Sequence, residues 1–198
     1  MDETGMETAV DPMALFGTWL REAEASELND ASAGALATAS RHGIPSVRMV
    51  LVKQIDERGF CFYTNAESQK GLELAENPHA AICFHWKSLR RQVRIAGRVT
   101  ELAAAESNDY FRSRPRLSQL GAVASEQSRV LASREWLVDR VKELETEFPG
   151  EIPRPEYWRG YALKPEWIEF WKSGEGRLHD RFLFSLSAEG WFKQRLFP

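Results

Sequence analysis

The chain has 198 residues, enough for one domain that buries roughly 70% of its unfolded surface and too few for two full ones. Its 26 Lys and Arg against 29 Asp and Glu leave a net charge of -3 and a pI near 5.9, which removes the global electrostatic case for nucleic acid. The two cysteines, Cys61 and Cys83, lie in separate apolar runs and give no disulfide framework, and no apolar run reaches membrane-spanning length.

Met1 to Asp11 is acidic and lacks the basic start and apolar core of a secretory signal. Residues 1–11 are expected to be a flexible tail, residues 12–198 one domain, and the protein cytoplasmic. Asp11-Pro12 pairs an N-cap with proline at the first helical position, and Leu15, Phe16, Trp19 and Leu20 follow at helical spacing, predicting a helix from Pro12 to Ala25. Strands are expected at Ala35–Ser40, Val47–Lys53 and Phe60–Thr64, separated by turns at Arg41-His42-Gly43 and at Asp56 to Gly59. Asn65 is positioned to cap a short helix that Asn77-Pro78 ends, and strands at Ala80–Trp86 and Arg91–Glu101 follow. Ala103–Arg112 reads as a helix closed by Pro115, and Ser133–Phe148 as an amphipathic helix through Leu137, Val141 and Leu144.

After a proline-rich connection, strands are predicted at Tyr161–Leu163, Trp167–Trp171, Arg177–Leu186 and Trp191–Leu196. About eight strands with few intervening helices argue against a doubly wound parallel sheet and for an antiparallel barrel with peripheral helices.

Several of these elements carry cations where a ligand could meet them. The two-residue period of a strand would set Arg177, His179 and Arg181 on one face, a row that suits a phosphate or carboxylate. Arg48 and Lys53 bracket an apolar strand but differ in parity, so both reach one ligand only if a bulge intervenes or the ligand wraps the strand end. Tyr63-Thr64-Asn65 with Ser68-Gln69-Lys70 surrounds a helix start, where free N–H groups favour an anion. Tyr110, Arg114 and Ser118, four residues apart, are all phosphate hydrogen-bonding types. Trp167, Glu169 and Trp171 share a strand face that leads into the Arg177 run, and an aromatic beside cations suits a flat anionic cofactor.

Other chemistries are not encoded. Gly174-Glu175-Gly176 lacks the third glycine and the helix of a dinucleotide loop, and no nucleophile elbow, Walker loop or His-Glu-x-x-His occurs. Cys83 and His85 have no second pair to complete a metal site, so no metal is expected.

In chain order these runs resemble the pyridoxamine (pyridoxine) 5′-phosphate oxidase family. The resemblance extends from about Asp11 to Pro198 and is carried by Arg48-Met49-Val50-Leu51-Val52-Lys53, Phe62-Tyr63-Thr64-Asn65, Arg91-Gln92-Val93, Tyr110-Phe111, Ser113-Arg114-Pro115, Ser118-Gln119, Ser125-Glu126-Gln127-Ser128, Ile168-Glu169-Phe170-Trp171, Arg177-Leu178-His179-Asp180-Arg181 and Arg195-Leu196 with Pro198. It implies a mainly β, antiparallel FMN-binding split barrel that forms a homodimer with FMN at the subunit interface. By the same resemblance, FMN contacts are Arg48, Met49, Val50, Leu51, Val52, Lys53, Tyr63, Thr64, Gln69, Lys70, Gln92, Gln127, Ser128, Trp171 and Arg181. Lys53, Tyr110, Arg114 and Ser118 would seat the substrate phosphate, with Arg177 and His179 over the substrate ring as the catalytic pair. The implied reaction oxidises C4′ of pyridoxamine or pyridoxine 5′-phosphate to pyridoxal 5′-phosphate, with molecular oxygen as acceptor and hydrogen peroxide as product.

Two departures accompany the resemblance. Many members have Ser-Arg-Lys where this chain has Ser68-Gln69-Lys70, and the Arg- and Tyr-bearing N-terminal segment common in the family has no counterpart in Met1 to Val10. Alternative readings are a split-barrel flavin oxidase of the phenazine-pathway type and a non-catalytic FMN or vitamer-phosphate binding protein. Tyr110, Arg114 and Ser118 speak against the first, and Arg177 with His179 against the second.

Overall fold

The computed structural model describes residues 4–198. Eight antiparallel strands form one sheet in the order β3-β2-β1-β4-β5-β6-β7-β8, and a further β3–β6 pairing closes the first six into a barrel. The strands are β1 (Ala33–Ala39), β2 (Pro45–Asp56), β3 (Gly59–Asn65), β4 (His79–Trp86), β5 (Arg91–Glu101), β6 (Trp158–Lys172), β7 (Asp180–Ser187) and β8 (Gly190–Arg195). Five helices surround them: α1 (Pro12–Ser26), α2 (Gln69–Glu76), α3 (Ala104–Ser113), α4 (Arg116–Ala124) and α5 (Arg134–Glu147).

Local chemistry sets these boundaries. Asp11 accepts a hydrogen bond from Met13 N at 2.8 Å and Pro12 fills the first turn, so α1 begins where expected. Its inner face sends Phe16 and Trp19 into the barrel, where they meet Phe60, Phe84 and Phe170 edge-on with centroids 4.9 to 5.1 Å apart. A second apolar cluster, Phe111, Leu120, Leu144 and Trp158, binds α3, α4 and α5 to the start of β6.

Three features differ from expectation. The two strands expected at 161–163 and 167–171 are one strand, β6, because a bulge opposite Ala96 and Gly97 absorbs Glu166 without ending the ladder. Gly97 is required there: a Cβ would lie 2.0 Å from the Lys164 carbonyl oxygen. α2 is capped by Ser68, whose Oγ accepts from Gly71 N, while Asn65 Oδ1 accepts from Glu67 N one turn earlier. Pro115 follows the end of α3 as expected, but it is also the N-cap of a further helix, α4, that the sequence pattern does not predict.

The described part of the expected tail is packed. Met6 is buried in the core, Trp19 Nε1 donates to Thr4 O at 2.8 Å, and Lys193 Nζ donates to the carbonyls of Glu7 and Ala9 at 2.5 and 2.8 Å.

Candidate active site

A cleft of about 510 Å³ opens beside β2 and gathers most of the expected residues. Arg48, Met49, Val50, Leu51 and Lys53 come from β2, Tyr63 and Thr64 from β3, Gln69 and Lys70 from α2, Tyr110 from α3, Arg114 from its C-cap, and Gln127 and Ser128 from the loop after α4. The parity problem is resolved in the strand itself. The β2–β3 register shifts between Val52 and Gln54, leaving Lys53 as a bulged residue that turns to the same side as Arg48.

Between them Val52 turns its side chain into the barrel core and is not among the residues lining the cleft. Ser118, on α4, lines an adjoining recess of about 390 Å³ that shares Tyr63, Thr64, Arg114 and Gln127 with the cleft.

Lys70 is the most unusual group in the cleft. Only 5% exposed, its ammonium donates to Thr64 Oγ1, Ser68 Oγ and Gln127 Oε1, each at 3.1 Å, and none of these carries charge. Burial, reinforced by the Arg48 charge, pushes its pKa down to about 8. A buried cation held only by neutral acceptors is a seat prepared for an anion. The seat lies at the α2 N-terminus, and the loop residue Ser128, held at φ 74, accepts from Gln69 N at 3.2 Å.

Arg114 is a second cation of the cleft, half-buried and without an ion-pair partner among the described residues. The Arg114 guanidinium lies 4.9 Å over the Trp158 ring, and its Nη1 is buried without a hydrogen-bond partner. Burial lowers its pKa even though Tyr110 opposes the shift. Tyr63 stacks on Tyr110 at 4.0 Å and on Trp158 at 5.3 Å, so three aromatic rings line the cleft beside Arg114. Burial lifts the Tyr63 phenol to about 12 and keeps it neutral.

Gln92, Trp171, Arg177, His179 and Arg181 lie outside this cleft. Gln92, Trp171 and Arg181 are register partners across β5, β6 and β7 and form one row on the outer sheet face. His179 joins them, its ring 4.8 Å from that of Trp171. Arg177 and His179 precede β7, so the single strand face expected for Arg177, His179 and Arg181 is not formed. Gly176 and Arg177 are both left-handed, at φ 59 and φ 66, and curl residues 174–179 into a tight turn. Gly174 is required in this turn, since a Cβ would lie 1.9 Å from Leu178 O. Its N–H donates to His179 Nδ1 at 3.2 Å, which leaves Nε2 as the ring nitrogen free to meet a ligand. Arg177 is exposed, and among the described residues its side chain has no polar partner.

Three participants escaped the sequence reading. Trp158 walls the cleft but reads in sequence as core filler, and Val47 lines it as an ordinary strand residue. Glu73 is buried and accepts from Ser46 Oγ at 2.6 Å and from Gln69 Nε2 at 3.0 Å while pairing with Arg48 at 3.5 Å. Its spacing of four from Gln69 was the available signal. Among the described residues no cluster of three His, Cys, Asp or Glu could hold a metal, and no helix is long and apolar enough to cross a membrane.

Comparison with known proteins agrees with this architecture. Residues 20–148 match the family model for pyridoxamine 5′-phosphate oxidase, and residues 158–198 match the pyridoxine 5′-phosphate oxidase C-terminal dimerisation region. The pyridoxine/pyridoxamine 5′-phosphate oxidase of Gluconobacter oxydans is 53% identical over 95% of this chain and 94% of its own length. That of Sinorhizobium fredii is 55% identical over 96% and 94%. Among solved structures, PhzG from Burkholderia lata in complex with tetrahydrophenazine-1-carboxylic acid superposes with a TM-score of 0.93 at 31% identity, over 100% of this chain and 98% of that one. Half-identical oxidases aligned almost end to end, on a barrel of the same form, place this chain in the pyridoxamine 5′-phosphate oxidase family of enzymes.

Proposed function

We propose that this enzyme is an FMN-dependent oxidase converting pyridoxamine and pyridoxine 5′-phosphates to pyridoxal 5′-phosphate, with molecular oxygen as acceptor and hydrogen peroxide as product. The observation that carries the proposal is a pair of cations with no ion-pair partner among the described residues, the buried Lys70 and the half-buried Arg114, lining one cleft with Tyr63, Tyr110 and Trp158. FMN and the vitamer each bring one phosphate, and the cleft offers two separate seats.

Lys70, Thr64, Ser128 and the α2 N-terminus suit the flavin phosphate, with Arg48 and Gln69 beside them. Arg114, Tyr110 and Lys53 suit the substrate phosphate, with Ser118 in the adjoining recess. When bound, FMN supplies the hydride and electron acceptor that no side chain provides. The chain's own part is to orient the substrate carbon and exclude water, and His179 Nε2 and Arg177 are the groups placed to meet substrate polarity.

Two features support a homodimer with FMN between the copies. The Gln92–Trp171–Arg181 row lines no part of the cleft: Trp158 at the start of β6 walls it, whereas Trp171 lies at the far end of the same strand. The outer sheet face between them is apolar and fine-grained. One register row runs Val47, Ala37, Ala81, Ala96, Trp167, and Val47 and Met49 are 67% and 63% exposed. Such a face suits a second copy, which would bring its own row to the cleft.

Purified protein is expected to be yellow and to yield peroxide and pyridoxal 5′-phosphate from pyridoxamine 5′-phosphate in air. Flavin-loaded protein that yields neither contradicts the proposal. The full-length likeness to PhzG favours a second reading, a flavin oxidase of a tricyclic acid. Side-by-side turnover of the two substrates separates them, and Arg114→Ala should impair only the phosphorylated one.

A further inference from the structure

Glu169 is a carboxylate that burial alone would make costly. It lies on β6 and is 2% exposed. Its Oε1 accepts from Arg181 Nε at 2.9 Å, and its Oε2 accepts from Arg94 Nη2. Burial works to raise its pKa, and the two guanidiniums overcome that and hold it low, so it is a carboxylate anion at neutral pH. One arginine would be enough to compensate one charge.

The second arginine is the one that matters for the site. In register, Glu169 sits between Arg94 and Leu183, one row behind Gln92, Trp171 and Arg181 on the same sheet face. Arg181 reaches back from that row to Glu169 with Nε, and its Nη1 donates to Phe197 O at 2.8 Å. The guanidinium is planar and its donors form a fixed fork, so holding two nitrogens sets the direction of the third. Nη2 is the nitrogen left without a partner among the described residues. Arg94 differs: it lies over the Trp167 ring at 5.6 Å, its side chain is 46% exposed, and it has no contact with Arg181.

We infer that Glu169 is a positioning residue for the flavin: it clamps Arg181 so that the free edge of the guanidinium faces the cofactor brought by the other copy. The inference rests on the reading that Arg181 contacts bound FMN. It assigns Glu169 a function in cofactor retention and not only in ion-pair stability.

The test follows FMN release from diluted holoenzyme by recovery of flavin fluorescence, together with the visible flavin spectrum, for E169Q, R181Q, the double variant and R94Q. Glutamine keeps the shape of Glu169 and loses its charge. The expected result is release accelerated about tenfold in both E169Q and R181Q, a shared change in the flavin band, and a double variant no faster than the worse single one. R94Q should stay within about twofold of the parent, because it removes charge compensation without touching Arg181. An unchanged E169Q beside an impaired R181Q overturns the inference alone, as does multiplication of the two effects in the double variant. R94Q as impaired as E169Q also overturns it, since that is the mark of a structural ion pair. An unchanged R181Q overturns it together with the reading that Arg181 touches the flavin.

Discussion

Lys70 and Arg114 express a conflict between stability and binding in single side chains. Lys70 in the fold has a pKa of about 8 against the ordinary 10.5, so between these values the unfolded chain binds more protons. Stability of the flavin-free protein should therefore rise with pH from about 8 to 10.5, and a denaturant series across that window reads the slope. A bound phosphate favours the charged lysine, so FMN affinity should weaken as pH climbs past about 8. Lys70→Met should raise the melting temperature of the flavin-free protein and cost FMN affinity roughly tenfold or more, the value of a charge-assisted hydrogen bond. A variant that melts lower and still holds flavin contradicts this account of the seat. Arg114→Ala should raise KM for pyridoxamine 5′-phosphate by roughly 10- to 100-fold with flavin content unchanged. Loss of flavin would show that the two phosphate seats have been exchanged. These residues were legible in sequence because Lys, Arg and Tyr near a helix start or break are phosphate-binding types. Trp158 and Glu169 were not, since a tryptophan and a strand glutamate acquire their roles only from what the fold sets against them.

Among the elements, three local irregularities build the site. The β2 bulge turns Lys53 to the side of Arg48; the parity conflict between them was visible in sequence, and the structure resolves it by the bulge and not by a ligand wrapping the strand end. The α3–α4 break at Pro115 aims Arg114 into the cleft, but α4 itself was missed because the proline read as a stop. The 174–179 turn defeated the period-two argument, since the left-handed pair Gly176 and Arg177 delays β7 until Asp180. Gly174→Ala should open this turn, because its Cβ would strike Leu178 O. We expect kcat to fall at least about tenfold while FMN stays bound, as displacement of catalytic groups by an ångström predicts. A variant that keeps full kcat would remove the turn from the mechanism.

At the scale of the whole molecule an antiparallel barrel was readable from strand count and helix scarcity, and its closure by β3–β6, which leaves β7 and β8 outside a six-stranded barrel, was not, since long-range pairing leaves no local trace. The same holds for the division of the site. One copy carries a cationic cleft at β2 and, outside it, the Gln92–Trp171–Arg181 row, joined by an apolar sheet face; Trp171 and Arg181 lie within the segment that matches a dimerisation region. The most direct test of a site shared between copies is complementation. Lys70→Met and Trp171→Ala each should be inactive alone, because every site in either homodimer carries a defect. Unfolded together and refolded, half of the dimers are mixed and each mixed dimer contains one unaltered site, so activity should return to about a quarter of the parent. If the site were built within one chain, every site in the mixture would keep one defect, and no activity would return.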